Sequence, residues 1–233
     1  MLTLALDTST FRGCIALGDG TEIIRETFLP VRAVRSESVL PEIDRMIATA
    51  GVHPAELSRI VVGSGPGSFT GVRISAALAK GMRAALGAEL FAYSSLAAIA
   101  AGSGVTGRVC AAIDARRGQV YAAGYDVETD PADGRRLRGF SERFSPVAEP
   151  LAETLARLVP AGDWHLAAAL PEPSVAAVRA AGAALLPPPA GQPSASALLR
   201  LADGWPDFGR VCDPASWEPR YVRASSAERA AGE

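Results

Sequence analysis

The chain has 233 residues, 48% of them hydrophobic and 21% charged, with a formal net charge of −2. That balance is ordinary for a globular protein. It argues against a disordered chain, against membrane-spanning helices, which need about 18 consecutive apolar residues, and against a nucleic-acid binder working alone, which needs a basic face to neutralise phosphate. Cys14, Cys110 and Cys212 are far apart and odd in number, so no disulfide framework is indicated and a reducing cytoplasmic setting is expected. The opening MLTLALDTST lacks the basic region and cleavage site of a signal peptide and reads as a first strand.

Three short strands are expected over the first 29 residues: Leu2 to Leu6, Cys14 to Leu17, and one at Ile23–Ile24 after the turn Gly18-Asp19-Gly20. A helix follows from Ser36 to Ala50, with Val39, Leu40, Ile43, Met46 and Ile47 at helical spacing and Gly51 as its stop. Arg59 to Val62 suits a buried strand and runs into the loop GSGPGSFTG. A second helix is expected from Thr70 to Leu86, closed by Gly87. It has an apolar stripe of Ile74, Leu78, Met82 and Leu86 beside the small residues Ala77, Gly81, Ala84 and Ala85. This pattern fits a helix lying on a sheet and also a helix–helix interface. A strand at Leu90–Tyr93 and a short helix to Ala101 lead to SGVTG, a lobe boundary.

Beyond it the opening of the chain recurs. LALDTSTFRGCIALGD and CAAIDARRGQVYAAGYD are each a strand ending in Asp (Asp7, Asp114), a polar turn, a second strand and a further Asp (Asp19, Asp126), as a duplicated α/β lobe would leave. Residues 127–140 read as a charged loop and edge strand, Pro146 to Leu158 as a helix, and Trp164–Ala169 and Ala183–Leu186 as strands flanking a helix from Ser174. PPPAGQPSAS reads as a linker before a helix at Ala195–Asp203, and ASSAERAAGE as a frayed tail. The lobes are expected at 1–103, completed by residues 212–226, and at 104–211.

Asp7 closing a strand before Thr8, Ser9 and Thr10 is the pattern of a phosphate-binding turn, in which amides and hydroxyls cradle phosphate and the carboxylate holds Mg²⁺. The same residues also serve as plain turn caps. GSGPGSFTG matches neither the dinucleotide fingerprint nor a P-loop, nor a nucleophile elbow; its glycines imply close backbone approach at a helix start. His53 and His165 have no ligand partners at metal spacing. The clusters Arg32/Arg35, Arg116/Arg117 and Arg135/Arg136/Arg138 read as solvated faces, or as part of a surface shared with a partner.

LALDTST, SESVLPEID, SGPGSFTGVR, AAIDARRGQVY and EPRYVR, in this order over nearly the whole chain, together resemble the TsaB (YeaZ) family. The resemblance implies an α/β, actin-like (ribonuclease-H-like) fold of two tandem lobes, each with a central mixed sheet flanked by helices. It also implies a non-catalytic scaffold that activates a TsaD-like catalytic subunit, together with a TsaE-like ATPase, in transferring threonylcarbamoyl to the adenosine beside the anticodon of tRNA. TsaD carries the metal and nucleotide. On this reading the chain has no catalytic or metal residues of its own. Asp7, Thr8 and Ser9 form a vestigial phosphate turn, and ATP or ADP with Mg²⁺ belongs to the complex. The partner-binding face comprises Leu40, Ile43, Ile47, Gly65, Gly67, Phe69, Arg73, Ala77 and Gly81. A homodimer is expected for the isolated chain. Arg35 stands where family members commonly carry His and cannot ligate a metal, which counts against a metallo-glycoprotease; an independent ATPase or kinase using Asp7 and Thr8 is the other alternative.

Overall fold

The computed structural model describes residues 1–29, 36–134 and 136–222. Arg32, Arg35, Arg135 and the tail ASSAERAAGE therefore lie outside the described residues. In chain order the elements are β1 (Leu2–Asp7), β2 (Cys14–Asp19), β3 (Glu22–Phe28), α1 (Ser36–Thr49), β4 (Arg59–Gly63), α2 (Phe69–Leu86), β5 (Glu89–Tyr93), α3 (Ser95–Ala101), β6 (Gly107–Arg116), β7 (Gln119–Thr129), β8 (Leu137–Pro150), α4 (Leu151–Leu158), β9 (Trp164–Ala169), α5 (Glu172–Ala180), β10 (Ala184–Leu185), α6 (Ala195–Gly204) and α7 (Pro206–Gly209).

The strands form two five-stranded sheets, ordered β3-β2-β1-β4-β5 and β10-β9-β6-β7-β8. Reversed, the second order repeats the first, with β8, β7, β6, β9 and β10 in the places of β3, β2, β1, β4 and β5. The senses agree too: β1 pairs antiparallel to β2 and parallel to β4, as β6 does to β7 and β9. The sequence repeat is thus a repeat of lobe topology, with Asp7 and Asp114 near the ends of equivalent strands.

Alternation along each strand sorts the side chains into layers. Leu4, Leu6, Ile15, Leu17, Ile60 and Val62 face α1 and α2. Ala5, Cys14, Ala16 and Val61 face inward, onto α3 and α6. From the other side Val109, Ala111, Ala123 and Ala167 close the same core, so the two helices lie between the sheets. Small residues dominate this middle layer because two helices must fit close to two sheets. Each fully buried Leu or Ile contributes about 1.5–3 kcal/mol. On the far side Cys110, Ala112, Leu155 and Val178 join α4 and α5 to the second sheet.

Residues 195–222 return to the first sheet. The Glu26 carboxylate accepts from the Ser194 hydroxyl and from the Ser196 backbone N–H and hydroxyl, all within 3.0 Å, and so holds the start of α6 against β3. Arg59 pairs with Asp203 at 2.9 Å, and the Val211 N–H reaches the Leu90 carbonyl. The return to the first sheet therefore begins at Ser194, earlier than the 212 expected, because α6 buries its apolar face on β1 and β2.

Two elements differ from expectation. Residues 146–150 do not start a helix: Val147, Ala148 and Glu149 pair with Ala122, Tyr121 and Val120, and the helix begins only at Leu151. α5 begins at Glu172 rather than Ser174, with a proline in its first turn, where no backbone donor is needed.

Candidate functional site

The end of β1 and the glycine-rich loop are built against each other. Thr8 Oγ1 donates to the Gly71 carbonyl at 2.6 Å, and the Ser68 N–H donates to the Ser9 carbonyl at 2.6 Å. The Gly65 N–H reaches Ser95 Oγ at 3.1 Å, while the Ser95 N–H returns to the Gly65 carbonyl at 2.8 Å. Ser68 caps α2 by accepting from the Gly71 N–H.

This explains the glycines. A Cβ at Gly63, Gly67 or Gly71 would fall under 3.0 Å from the Asp7 carboxylate, the Ser9 carbonyl or the Thr8 carbonyl, respectively. Gly65 has φ +86°, left-handed backbone that side chains disfavour. Gly65 and Gly67, expected in a partner interface, are thus occupied within this chain.

Asp7 is 1% exposed. Its Oδ1 accepts the Ser9 N–H at 2.7 Å, and its Oδ2 has no hydrogen-bond partner. Burial pushes the carboxyl above its ordinary value, more than the hydrogen bond from the Ser9 N–H pulls it down. The sign of the linkage follows. Below the ordinary carboxylate range the group is neutral folded or unfolded and contributes nothing. As pH rises through that range the unfolded chain ionises first, so the carboxyl destabilises the fold, by up to about 1.4 kcal/mol per pH unit, until pH passes the raised folded value. Asp7→Asn, which keeps the acceptor for Ser9, is therefore expected to match the native chain at pH 3.5 and to be the more stable of the two at pH 7. Denaturant titration at the two pH values checks this; an equal difference at both refutes it.

Between the lobes lies a cleft of about 850 Å³. Its walls come from Thr8 to Phe11, the start of α2, the β6–β7 turn, Ala169 to Pro171, Gly191–Gln192 and Arg220 to Val222. Thr8 and Ser9 line it, as a phosphate turn should, but Asp7 does not. The Thr8 hydroxyl and the Ser9 amide are engaged within the chain, and the Asp7 carboxylate lies against Gly63, off the cleft. A nucleotide-bound Mg²⁺ does not fit Asp7 in this arrangement.

Arg116 and Arg117 both adopt left-handed backbone, with φ 65° and 56°, and the Asp114 carboxylate holds the turn by accepting the Arg116 N–H at 2.9 Å. Arg220 enters the cleft on a segment whose N–H bonds the Ser64 carbonyl at 3.2 Å. Arg220, Tyr221 and Gln192 were not expected at this site. EPRYVR carried only a family resemblance, and no local pattern says that it folds back across the glycine-rich loop.

The helix residues divide by face. Ile43 and Ile47, expected in the interface, are 1% and 4% exposed and pack on the first sheet. Their helical spacing marks the inner stripe of α1. Leu40 is 43% exposed and Phe69 38%. Arg73, Ala77 and Gly81 are exposed along α2, while Ile74, Leu78 and Met82 turn toward the core. The Arg73 guanidinium lies 3.7 Å from the Phe69 ring centroid, Phe69 packs on Tyr221, and Arg73 Nε donates to Tyr221 Oη at 3.2 Å. Among the described residues no group of three or more His, Cys, Asp or Glu could hold a metal ion, and no helix is long and apolar enough to cross a membrane.

Two mixed sheets of one topology, with paired helices between them and a cleft at the equivalent turns, define an actin-like, ribonuclease-H-like α/β protein. Residues 27–173 match the family described as "TsaD: tRNA N6-adenosine threonylcarbamoyltransferase". The chain is similar to the tRNA threonylcarbamoyladenosine biosynthesis protein TsaB of Bacillus subtilis (strain 168), with 39% identity over 129 residues, 55% of this chain and 56% of that one. It is 41% identical to TsaB of Escherichia coli (strain K12) over 132 residues, 54% of this chain and 55% of that one. YeaZ from Pseudomonas aeruginosa superposes with a TM-score of 0.76 at 28% identity, covering 94% of this chain and 99% of that one. The matched regions span about half the length of these curated relatives. The chain belongs to this family, and within it to the TsaB/YeaZ proteins.

Proposed function

We propose that the chain is a non-catalytic subunit for tRNA threonylcarbamoyladenosine biosynthesis that docks a TsaD-like catalytic subunit through the outer face of α1 and α2. The observation that carries this reading is the division of α2. Its apolar stripe is turned to its own core, while Arg73, Ala77, Gly81 and Ala84 lie exposed along the other side. A Cβ at Gly81 would meet nothing within 4 Å. A face of such small residues lets another helix approach at the short end of the packing range, and Leu40 and Phe69 add apolar area to it. The withdrawal of Asp7 from the cleft supports the non-catalytic role. ATP or ADP and Mg²⁺, a TsaE-like ATPase and tRNA then join through the cytoplasmic complex, and the isolated chain pairs with itself through the same face.

The test is size-exclusion chromatography with light scattering on the chain alone and mixed with the TsaD-like protein of the same organism, with and without ATP and Mg²⁺. A joint species of one copy each, or a multiple of it, is the expected result. If the two proteins elute apart in every condition while the chain alone hydrolyses ATP, the docking role is wrong.

A further inference from the structure

A second cavity, of about 400 Å³, shares only Arg220 with the interlobe cleft and includes no residue of α1 or α2. Its walls are the C-terminal ends of β4 and β5, parts of β7 and β8 from the second sheet, and residues from 201–220. Six of the chain's fourteen aromatic side chains line it: Tyr93, Tyr125, Phe140, Trp205, Phe208 and Trp217. Phe140 stacks on Tyr125 with ring centroids 5.0 Å apart and meets Trp205 edge-on at 6.1 Å. Phe208 is 77% exposed, so its ring is not used by the core. Aromatic faces gathered in this way suit a flat, apolar surface.

The cavity also has a polar cluster. Tyr125 is 2% exposed, yet its hydroxyl has no hydrogen-bond partner among the described residues. The Tyr93 hydroxyl, by contrast, donates to the Trp205 carbonyl at 2.9 Å. Burial raises the Tyr125 pKa, the nearby Ser94 hydroxyl lowers it, the Glu142 carboxylate raises it and the Arg220 guanidinium lowers it. All four side chains line the cavity, so hydroxyls, a carboxylate and a guanidinium offer donors and acceptors together. A buried hydroxyl left unpaired is costly, and a ligand atom beside it would remove that cost.

Charge narrows the choice. Glu142 and Glu218 line the cavity with Arg220. Glu218 reaches Lys80 at 3.7 Å, and Glu142 alone offsets the guanidinium, so nothing here favours a phosphate or a carboxylate.

We propose that this cavity binds a small planar heteroaromatic molecule without negative charge, of nucleobase or nucleoside type, its ring on the aromatic walls and its polar edge toward Tyr125 and Glu142. Bases stack on aromatic side chains whatever their identity, and their edges carry donors and acceptors side by side, as this cluster does. The volume lies at the small end of ligand pockets and suits one such molecule.

The experiment is calorimetric titration of the full chain with adenosine, cytidine, AMP and indole, repeated for Phe208→Ala, Glu142→Gln and Phe11→Ala. Phe11 lines the interlobe cleft and not this cavity. All three side chains are exposed, so thermal melts serve to show that the variants remain folded. Saturable binding of at least one nucleoside, with a dissociation constant below about 1 mM, is expected. Phe208→Ala should weaken it roughly fivefold or more, Glu142→Gln by a similar factor, and Phe11→Ala not at all. AMP should bind no more tightly than adenosine, and indole, which lacks acceptors, at least about tenfold more weakly. The proposal is overturned by no nucleoside binding up to about 5 mM, or by binding unchanged in both Phe208→Ala and Glu142→Gln. Binding lost in Phe11→Ala would place the ligand in the interlobe cleft instead. Tighter binding of AMP would make phosphate the recognised group, and indole matching the nucleosides would leave only an apolar slot; either result also defeats it.

Discussion

Gly71→Ala is expected to lower folding stability by about 3 kcal/mol, the upper part of the range for forcing extra volume into a packed site, and to melt roughly 6–12 °C below the native chain. The added methyl would meet the Thr8 carbonyl oxygen, a backbone atom that cannot swing aside. Relief requires moving either the end of β1 or the first turn of α2. Either movement breaks the bond from Thr8 Oγ1 to the Gly71 carbonyl and the bond from the Ser68 N–H to the Ser9 carbonyl. Gly81→Ala on the same helix is the control. With nothing near its Cβ and a helical backbone, it is expected to gain up to about 1 kcal/mol in the isolated chain. Thermal and denaturant unfolding of the two variants measures the contrast. A Gly71→Ala protein melting with the native chain would mean that loop and turn are not clamped as described.

Ala77→Glu is expected to weaken association with the TsaD-like subunit by about a hundredfold or more, because an unpaired carboxylate would be driven into a helix–helix contact. The fold should not suffer, since Ala77 is exposed and glutamate is a good helix former. Ala176→Glu on α5, also exposed but on the outer side of the second sheet, is expected to leave association unchanged. Co-purification and light scattering read both. Ala77→Glu still forming the joint species, at native yield, would put the docking face elsewhere on the molecule.

These two predictions sit on different sides of what the residues disclosed by themselves. The duplication was legible because strand, aspartate, turn and strand recur as a unit, and that unit is local. Most strands were legible from alternation or β-branched runs bounded by turns. The helix at Pro146 was misread because Val147, Ala148 and Leu151 also satisfy a helical spacing, and only pairing with Val120, Tyr121 and Ala122 shows that the strand continues to Pro150. Ile43 and Ile47 were misassigned for a related reason. An apolar stripe says that one face of α1 is buried, but not whether its own sheet or another protein buries it.

The glycines of GSGPGSFTG announced close approach, and the approach is real. What they approach is the turn beginning at Asp7, some sixty residues earlier in the chain. The same distance hides Arg220, which reaches the cleft only because residues 195–222 fold back onto the first sheet.

By itself, then, the amino-acid sequence determined the two-lobe α/β plan, the family, the presence of a hydroxyl-rich strand-end turn and the need for glycine after β4. Each of these depends on residues near one another in the chain or on a repeated local pattern. Only the tertiary structure decided that Asp7 is walled off while Thr8 and Ser9 stay on the cleft, that α2 shows its small residues outward, and that Arg116 and Arg220 border one cleft from opposite lobes. Those outcomes are set by packing between segments brought together from opposite ends of the chain, and no local periodicity carries that information.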